Sequence, residues 1–312
     1  MKEEIVIGTR DSQLAMWQAR WVLEKLQGLY PQKKFVLKGM KTRGDHILDV
    51  ALAKIGDKGL FTKELEVALL NGEIDLAVHS MKDLPTSLPE GLTIGAICPR
   101  EFPGDVLISR SGLTLDKLPP GARIGTSSLR RTAQLLHYRP DFNVITIRGN
   151  LTTRLRKLEE LNLDAIILAY AGIHRLGHDE RITQLIPFDI CLPAAGQGSI
   201  AIEIRASDSS MQELIRPLDD PSSRAAIIAE RALMRKLEGG CQVPVGTLGQ
   251  VQQGQLFLEG VVASLDGRQL VRKNISGPPG QAEKIGEELA MQLIGMGAGE
   301  ILNKVRQEFD LQ

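Results

Sequence analysis

Residues 4–31, EIVIGTRDSQLAMWQARWVLEKLQGLYP, predict a buried strand that leads directly into a helix. The run from Glu4 to Thr9 is short, apolar and rich in β-branched residues, which is typical of a buried strand. Ser12 can cap the helix, in which apolar residues recur at every third or fourth position, and Gly28 and Pro31 end it. A strand joined to a helix in this way indicates an α/β fold.

The same alternation continues along most of the chain. Further strands are predicted at residues 35–40, 75–79, 105–109, 122–125, 144–147, 164–169, 199–205, 256–264 and 269–275. Strands that alternate with helices form mixed, largely parallel sheets with crossover helices. The strand at 199–205 follows the glycine-rich segment 193–198, which we interpret as a hinge, and it is a candidate to return to the first sheet.

Length and pattern together predict three domains. A chain of 312 residues is too long for one ordinary core. Residues 1–98 with 199–217 are predicted to form a first α/β domain, and residues 99–198 a second one. The pattern then changes to a long helix, two strands and further helices, which predicts a small α+β domain over residues 218–312.

Composition and charge disfavour several classes of protein. Basic and acidic residues number 38 each, so the chain has no general attraction for a polyanion. No apolar run approaches the roughly 18 residues that a membrane helix needs. No signal-peptide pattern precedes the first strand, and three cysteines are too few for a disulfide framework. We therefore predict a cytoplasmic protein with neither a membrane nor a nucleic acid as partner.

One part of the chain is nevertheless basic. Residues 121–160 carry eight Lys or Arg against three Asp or Glu, and the segment 125–131, GTSSLRR, lies where a strand turns into a helix capped by Ser127 or Ser128. The first amides of a helix are unpaired and its dipole is positive there. The hydroxyls and the two arginines of this segment are therefore a candidate anion site.

Other arginines occupy the same place in the topology. Arg148 ends the next strand, Arg154 lies one turn into a helix that Asn150 can cap, and Arg10 ends the first strand beside Ser12. Open α/β sheets bind ligands at the carboxyl ends of their strands, and the arginine fork pairs with carboxylates through two hydrogen bonds. Although any one arginine could be a surface charge, the set predicts a site for a carboxylate-rich ligand.

Lys82 and Asp83 follow the strand at residues 75–79. Such a pair is often a simple surface ion pair. At the end of a buried strand, however, a carboxylate among arginines could act as an acid/base group or stabilise a substrate cation.

The three cysteines differ in their surroundings. Cys241 follows two glycines and precedes Pro244, so it is a candidate nucleophile on a loop. Cys98 and Cys191 lie among apolar residues and are predicted to be core side chains. The long loop at residues 43–59 is a candidate lid, and the scattered histidines predict no metal site.

These motifs, in their order and spacing, resemble those of the porphobilinogen deaminase family over nearly the whole chain. The matching segments are Gly8–Arg10, Thr42–Asp45, Lys58–Phe61, Lys63–Glu66, His79–Pro85, Gly125–Arg131, Arg148–Asn150, Ala194–Gly198, Glu230–Ala232 and Leu237–Pro244. Any one of them could occur by chance, but the ordered set identifies a family.

The resemblance implies an enzyme of three domains, the first two like the α/β lobes of periplasmic binding proteins with the active site between them. It implies a dipyrromethane cofactor, built from two substrate molecules and bound to Cys241 through a thioether. Four porphobilinogens are then joined head to tail with loss of ammonia, and water releases hydroxymethylbilane, a linear tetrapyrrole of haem biosynthesis. The resemblance also implies a monomer that passes this product to uroporphyrinogen III synthase.

The resemblance assigns roles to single residues as well. Asp83 is the catalytic carboxylate, which binds pyrrole N–H groups, stabilises the azafulvenium cation and moves protons. The substrate-binding residues are Arg10, Ser12, Lys82, Arg148, Arg154, Arg175 and Gln197. The cofactor-binding residues are Lys82, Asp83, Thr126, Ser127, Ser128, Arg130, Arg131, Arg148 and Cys241. Asp45, Lys54, Lys58 and Phe61 belong to the candidate lid.

Two other interpretations fit parts of the sequence. A two-lobed carboxylate-binding protein without catalytic activity would explain the arginines and the glycine-rich segment, but would leave Cys241 without a role. A nucleic-acid binder would use the basic residues, but zero net charge and few aromatic side chains count against it. Consumption of the ligand with release of ammonia would distinguish the enzyme from the binding protein, and a salt-insensitive failure to bind DNA or RNA would exclude the nucleic-acid binder.

Overall fold

The computed structural model describes residues 4–42, 62–237 and 243–310. These residues form two compact units. The first unit comprises residues 4–42, 62–101 and 199–224, and the second comprises residues 102–198, 225–237 and 243–310. In this part of the chain no helix is both long enough and apolar enough to span a membrane.

Strands and helices alternate through most of the described sequence. The strands are β1 (Glu4–Arg10), β2 (Lys34–Met40), β3 (Leu76–Ser80), β4 (Leu92–Ile97), β5 (Asp105–Ser109), β6 (Arg123–Gly125), β7 (Asn143–Ile145), β8 (Ala165–Ala169), β9 (Gln184–Leu185), β10 (Ile200–Arg205), β11 (Val245–Gln252), β12 (Gln255–Ala263) and β13 (Leu270–Gly277). The helices are α1 (Gln13–Leu29), α2 (Lys63–Leu70), α3 (Leu129–Tyr138), α4 (Leu151–Glu160), α5 (Tyr170–Arg175), α6 (Ser209–Ile215), α7 (Pro221–Lys236), α8 (Ala282–Gly295) and α9 (Ala298–Asp310). A single turn of 3₁₀ helix, Met81–Asp83, follows β3 directly.

The first unit is built on a mixed five-stranded sheet with the order β2-β1-β3-β10-β4. Strand β1 is parallel to β2 and β3, whereas β10 is antiparallel to both β3 and β4. Helix α1 covers one face of the sheet, where Val22 packs in a cluster with Ile7 and Val78, and α2 covers the other face through Leu65. The predicted return of residues 199–205 to the first sheet is confirmed, and these residues add an antiparallel strand.

The second unit contains a mixed sheet with the order β7-β6-β8-β5-β9 and a separate antiparallel sheet, β11-β12-β13. In the mixed sheet β6 is parallel to β7 and β8, and β5 is antiparallel to β8 and β9. Helices α7, α8 and α9 pack with the three-stranded sheet through an apolar cluster that includes Leu233, Leu258, Leu289 and Leu302. The predicted α/β class with a small α+β part at its C-terminal end is confirmed.

The sequence pattern located the predicted strands to within two residues but did not predict β4, β9 and β11. Strand β9 has only two residues, and β4 and β11 contain glycines, which lower strand propensity. Gly249 in β11 has a packing reason, because a Cβ there would lie 2.8 Å from the carbonyl oxygen of Ala226. Tertiary packing therefore places strands where local propensity is weak.

Helices α7 and α8 approach each other closely at a glycine. A Cβ at Gly286 would lie 2.2 Å from the carbonyl oxygen of Ala229 and 2.7 Å from the Cβ of Ala232. These distances are shorter than van der Waals contact, so the two helix backbones can come this near only at a residue without a side chain.

We expect Gly286→Ala to lower the free energy of unfolding by about 1–3 kcal/mol, because the added methyl group must push the α7 backbone away. The matched control is Gly295→Ala in the last turn of the same helix, where the Cβ would enter open space and alanine favours the helix. Urea unfolding followed by circular dichroism measures both variants. Equal stability of the two would contradict the proposed packing.

Candidate active site

A small cavity of about 60 Å³ lies in the first unit, where β1 and β3 end. Arg10 is the last residue of β1, and Asp83 ends the 3₁₀ turn that follows β3. Because these strands are parallel neighbours, their carboxyl ends bring both residues to one place. Ser12 lines the cavity as well. The structure thus brings together three residues that the sequence analysis assigned to the site.

Helix α1 begins at this cavity. The hydroxyl of Ser12 accepts a hydrogen bond from the amide of Ala15 at 3.4 Å, which confirms the predicted helix cap. The positive end of the helix dipole at this point favours a negative ligand. Farther along α1, Nε2 of Gln18 donates to the hydroxyl of Ser80 at 2.9 Å, and both residues line the cavity. This hydrogen bond holds the cavity wall between α1 and β3.

The 3₁₀ turn that carries Lys82 and Asp83 is anchored to the sheet. Met81 is buried, and its amide donates to the carbonyl oxygen of Ser199 at 2.9 Å. Asp83 is half-buried and lines the cavity, whereas Lys82 is half-buried outside the cavity lining. An anchored carboxylate near Arg10 can accept hydrogen bonds from N–H groups of a ligand and can exchange a proton with it.

A second group of charged residues is buried in the second unit around Asp105, the first residue of β5. Its carboxylate accepts hydrogen bonds from Nη1 of Arg130 at 2.8 Å and from Nη2 of Arg131 at 2.7 Å. Asp105 is fully buried, and each arginine is 5% exposed. Although burial alone would raise the pKa of Asp105, the two guanidinium groups hold that pKa well below its usual value.

This buried group carries more positive than negative charge. Two guanidinium groups face one carboxylate, and the neighbouring thiol of Cys191 stays neutral because burial raises its pKa to about 12. Nε of Arg131 is buried and has no hydrogen-bond partner among the described residues. Since buried donors are normally paired, an excess positive charge with an open donor fits an anionic ligand group.

The segment 125–131 enters α3 as the sequence pattern predicts. Ser128 caps the helix by accepting from the amide of Arg131 at 3.4 Å, and Oγ1 of Thr126 accepts from the amide of Ser128 at 3.2 Å. Of the two serines considered for the cap, the structure selects Ser128, and Ser127 is half-buried. The positive end of the α3 dipole therefore lies beside three hydroxyl groups.

Arg148 and Arg154 flank the start of the next helix, α4. Asn150 caps this helix by accepting from the amide of Thr153 at 2.9 Å, which confirms the predicted cap. Nε of Arg154 donates to the carbonyl oxygen of Gly149 at 2.8 Å, and both arginines are half-buried. Because β6 and β7 are parallel neighbours, the starts of α3 and α4 lie at the same edge of the sheet.

Gln197 and Arg175, both predicted to bind substrate, hold the glycine-rich segment. Nε2 of Gln197 donates to the carbonyl oxygen of Pro103 at 2.7 Å and to the carboxylate of Asp105 at 2.8 Å. Nη2 of Arg175 donates to the carbonyl oxygen of Gly198 at 2.6 Å. These hydrogen bonds connect the segment to the buried charges around Asp105.

Asp105 and Glu230 organise the second unit, but the sequence pattern assigned neither of them a role, although Glu230 lies in the matching segment Glu230–Ala232. Glu230 is fully buried in α7 and accepts from the amides of Gly196 and Gly249, each at 2.7 Å. Asp105 opens an otherwise apolar strand, and a lone carboxylate in such a place indicates a buried partner. Glu230 gives no comparable indication, because a helix pattern does not reveal where distant glycine amides lie.

Several predicted residues lie outside the described residues. They are Cys241 and the loop residues Asp45, Lys54, Lys58 and Phe61. Cys98 and Cys191 are buried, as predicted for core side chains. A thiol with a pKa of about 12 is not ionised at neutral pH, so Cys191 lacks the thiolate that nucleophilic attack requires.

An arginine at a strand end, further arginines at capped helix starts and a half-buried carboxylate in a cavity make this an α/β protein with the features of an anion-binding site. The family model "Porphobilinogen deaminase, dipyrromethane cofactor binding domain" matches residues 5–213, and the model "Porphobilinogen deaminase, C-terminal domain" matches residues 225–295. The chain belongs to the porphobilinogen deaminase family. It is therefore an enzyme of haem biosynthesis that uses a dipyrromethane cofactor.

Curated relatives match over the full length. Porphobilinogen deaminase from Pelotomaculum thermopropionicum is 63% identical over 99% of both chains, and that from Desulforudis audaxviator is 62% identical over 98% of this chain and 99% of its own. Among solved structures, the periplasmic aliphatic sulphonate binding protein SsuA from Escherichia coli has 15% identity and a TM-score of 0.41, over 76% of this chain and 71% of its own. The family predicted from the motifs is confirmed, so the two rival interpretations are set aside.

We expect Asp105→Asn to lower the free energy of unfolding by about 3–5 kcal/mol, because two buried guanidinium groups would lose their carboxylate. The sign of the pH dependence follows from the lowered pKa of Asp105 in the folded protein. The contribution of this carboxylate is present above its ordinary pKa of 3.8 and is lost as the pH falls toward the folded value. Urea unfolding at neutral and acid pH measures both effects.

The matched control is Asp141→Asn. Asp141 is exposed and pairs with Arg139 near the surface, so this change should cost less than about 1 kcal/mol. An Asp105→Asn protein as stable as the control would show that the buried ion pairs do not hold the unit together.

Proposed function

We propose that this chain joins four porphobilinogens head to tail into hydroxymethylbilane, on a dipyrromethane cofactor bound through Cys241. The observation that carries the proposal is the cavity in which the carboxylate of Asp83 and the guanidinium group of Arg10 lie together. Porphobilinogen brings an aminomethyl group, a pyrrole N–H and two carboxylates. The carboxylate of Asp83 is complementary to the aminomethyl group, which is positively charged when protonated, and to the pyrrole N–H. The guanidinium group of Arg10 is complementary to the substrate carboxylates.

Asp83 is the proposed catalytic residue. Its carboxylate is half-buried on an anchored turn, so it interacts with a developing positive charge more strongly than a carboxylate in water. When the protonated aminomethyl group leaves as ammonia, which keeps the electron pair of the C–N bond, the substrate becomes an azafulvenium cation that this carboxylate stabilises. With the cofactor bound, Asp83 would accept the proton that the pyrrole α-carbon loses when the new C–C bond forms.

Arginines are the proposed partners of the substrate carboxylates. Half-buried guanidinium groups bind carboxylates strongly because they form two charge-assisted hydrogen bonds. The proposed substrate-binding residues are Arg10, Ser12, Lys82, Arg148, Arg154, Arg175 and Gln197. The strand ends and helix starts on which Arg10, Arg148 and Arg154 lie support this assignment.

The buried group around Asp105 suits the acetate and propionate side chains of the cofactor. Its excess positive charge and the open Nε donor of Arg131 favour a carboxylate. The proposed cofactor-binding residues are Lys82, Asp83, Thr126, Ser127, Ser128, Arg130, Arg131 and Arg148. When bound, the cofactor supplies the free pyrrole α-carbon to which the first substrate is joined.

Cys241 is the proposed attachment point of the cofactor, and the state of the other two cysteines supports this choice. Cys98 and Cys191 are both buried, and the raised pKa of Cys191 keeps its thiol neutral. A thioether requires a thiol that a pyrrole can reach. Cys241 meets this requirement by its sequence context between two glycines and Pro244.

The proposed organisation has three domains: residues 1–98 with 199–217, residues 99–198, and residues 218–312. The separate three-stranded sheet and the separate family match over residues 225–295 support the third domain. We further propose a cytoplasmic monomer whose loop at residues 43–59 acts as a lid, with Asp45, Lys54 and Lys58 in it and Phe61 directly after it. Its product would pass to uroporphyrinogen III synthase.

We expect Asp83→Asn to lower kcat by about 10²–10⁴-fold while the protein still folds and carries the cofactor, because the amide can neither accept a proton nor offset a cation. Release of ammonia and formation of hydroxymethylbilane from porphobilinogen measure the effect. Asp116→Asn, an exposed aspartate of the second unit, is the control and should keep normal turnover. Near-normal turnover of Asp83→Asn would show that another carboxylate is catalytic.

We expect the intact mass of the purified enzyme to exceed the sequence mass by two porphobilinogens less two ammonias, with the adduct on the Cys241 peptide. Cys241→Ser should lack this adduct even after incubation with porphobilinogen, whereas Cys191→Ala should keep it. Mass spectrometry with peptide mapping measures all three proteins. An adduct that persists in Cys241→Ser would move the attachment point to Cys98 or Cys191.

A further inference from the structure

Two acids and a histidine are buried together on the α2 face of the first sheet. Glu66 belongs to α2, His79 to β3 and Glu203 to β10, and their exposures are 6%, 5% and 0%. In the antiparallel register Glu203 is opposite Ala77 and His79 is opposite Ala201, so alternation places Glu203 and His79 on the same face. This face is otherwise apolar, and a polar cluster in such a place needs a physical account.

His79 and Glu203 form the first part of the cluster. Nε2 of His79 lies 2.9 Å from a carboxylate oxygen of Glu203. Because an ionised carboxylate only accepts hydrogen bonds, Nε2 carries the hydrogen. The other carboxylate oxygen of Glu203 is buried without a hydrogen-bond partner among the described residues. The hydrogen bond of Nε2 is thus made to Glu203 and not to Glu66.

Glu66 is the second acid of the cluster. Its carboxyl group forms a hydrogen bond with the hydroxyl of Thr62, and its Oε1 is buried without a partner among the described residues. Burial raises the pKa of Glu66, the Thr62 hydrogen bond acts in the opposite direction, and the charge of Glu203 raises the pKa further. His79 and the exposed Lys63 are the cationic or titratable groups that lower it.

The cluster adjoins the candidate active site. Thr62, which contacts Glu66, and His79, which contacts Glu203, both line the cavity that contains Arg10 and Asp83. Asp83 is the acidic residue among those that line this cavity. Glu66 is joined to the cavity wall through Thr62. An ionised Glu66 would add its negative charge to that of Asp83 through a low-dielectric region and oppose the binding of a carboxylate at Arg10.

We propose that Glu66 remains protonated beside the His79–Glu203 pair, and that this neutral acid keeps an additional negative charge away from the substrate cavity. Glu66 is thus a positioning residue that sets the charge around Asp83 and does not touch the substrate. The inference rests on the proposed function, in which a substrate with two carboxylates enters this cavity.

Infrared spectroscopy of the holoenzyme with isotope-labelled glutamate tests the protonation directly. We expect a protonated carboxyl band at neutral pH that disappears in Glu66→Gln. The matched control is Glu73→Gln, an exposed residue whose pKa is lowered by hydrogen bonds from Lys38 and Asn71, and this variant should keep the band. Absence of the band from the wild-type enzyme, or its persistence in Glu66→Gln, would overturn the proposal.

Stability gives a second test, because glutamine mimics a protonated glutamate. Since the folded pKa of Glu66 is raised, its contribution to stability is present below the unfolded pKa and is lost as the pH rises through the folded pKa. Glu66→Gln should therefore match the Tm of the wild type below about pH 4.5 and exceed it increasingly as the pH rises from there to the folded pKa of Glu66. A variant that unfolds or loses stability at every pH would show that Glu66 is ionised and paired.

The kinetic test separates a charge effect from a purely structural one. As the pH rises and Glu66 ionises, the KM of the wild type for porphobilinogen should increase. We expect this increase to be about tenfold larger than the increase for Glu66→Gln, and the two proteins should differ less in kcat. Identical KM profiles would refute the role of Glu66 in the cavity. Asp83→Asn separates failure of the proposed function from failure of this inference. Normal turnover of that variant would show that Asp83 is not the catalytic residue. The infrared band would still decide whether Glu66 is protonated.

Discussion

The ion pairs of Asp105 are the interaction on which the arrangement of the charged residues in the second unit depends. Burying a carboxylate is costly, and hydrogen bonds of 2.8 and 2.7 Å from Arg130 and Arg131 offset that cost. Both arginines belong to the first turn of α3, and Nη1 of Arg131 also donates to the carbonyl oxygen of Ile167 in β8. The two ion pairs and this hydrogen bond therefore attach the start of α3 to β5 and β8. The same contacts fix the position of the hydroxyl groups in the segment 125–131.

Buried carboxylates also hold the glycine-rich segment 193–198, which the sequence suggests is a hinge. Gln197 donates to Asp105, and the buried carboxylate of Glu230 accepts from the amide of Gly196. Gly196 has a positive φ of 74°, a conformation that glycine adopts without strain. Glycine therefore serves here for the local turn, while buried polar groups on both sides determine where the segment lies.

In the described part of the first unit, strand order and a helix cap position the functional groups, and no buried ion pair with Asp105 is involved. Parallel β1 and β3 bring Arg10 and Asp83 to one cavity, and the Ser12 cap places a helix start there. Its charges are half-buried and accessible, whereas those around Asp105 are buried and paired. The first unit thus has an accessible carboxylate, and the second has an excess of buried positive charge.

The sequence by itself determined the α/β class, the caps at Ser12 and Asn150 and the family, because periodicity and capping depend on residues only a few positions apart. It could not distinguish Arg130 and Arg131, which are buried against Asp105, from the half-buried Arg148. Only the tertiary structure decided that, since Asp105 is 25 positions from Arg130 and Glu203 is 124 positions from His79. Contacts across such separations follow from strand order, which local patterns do not encode.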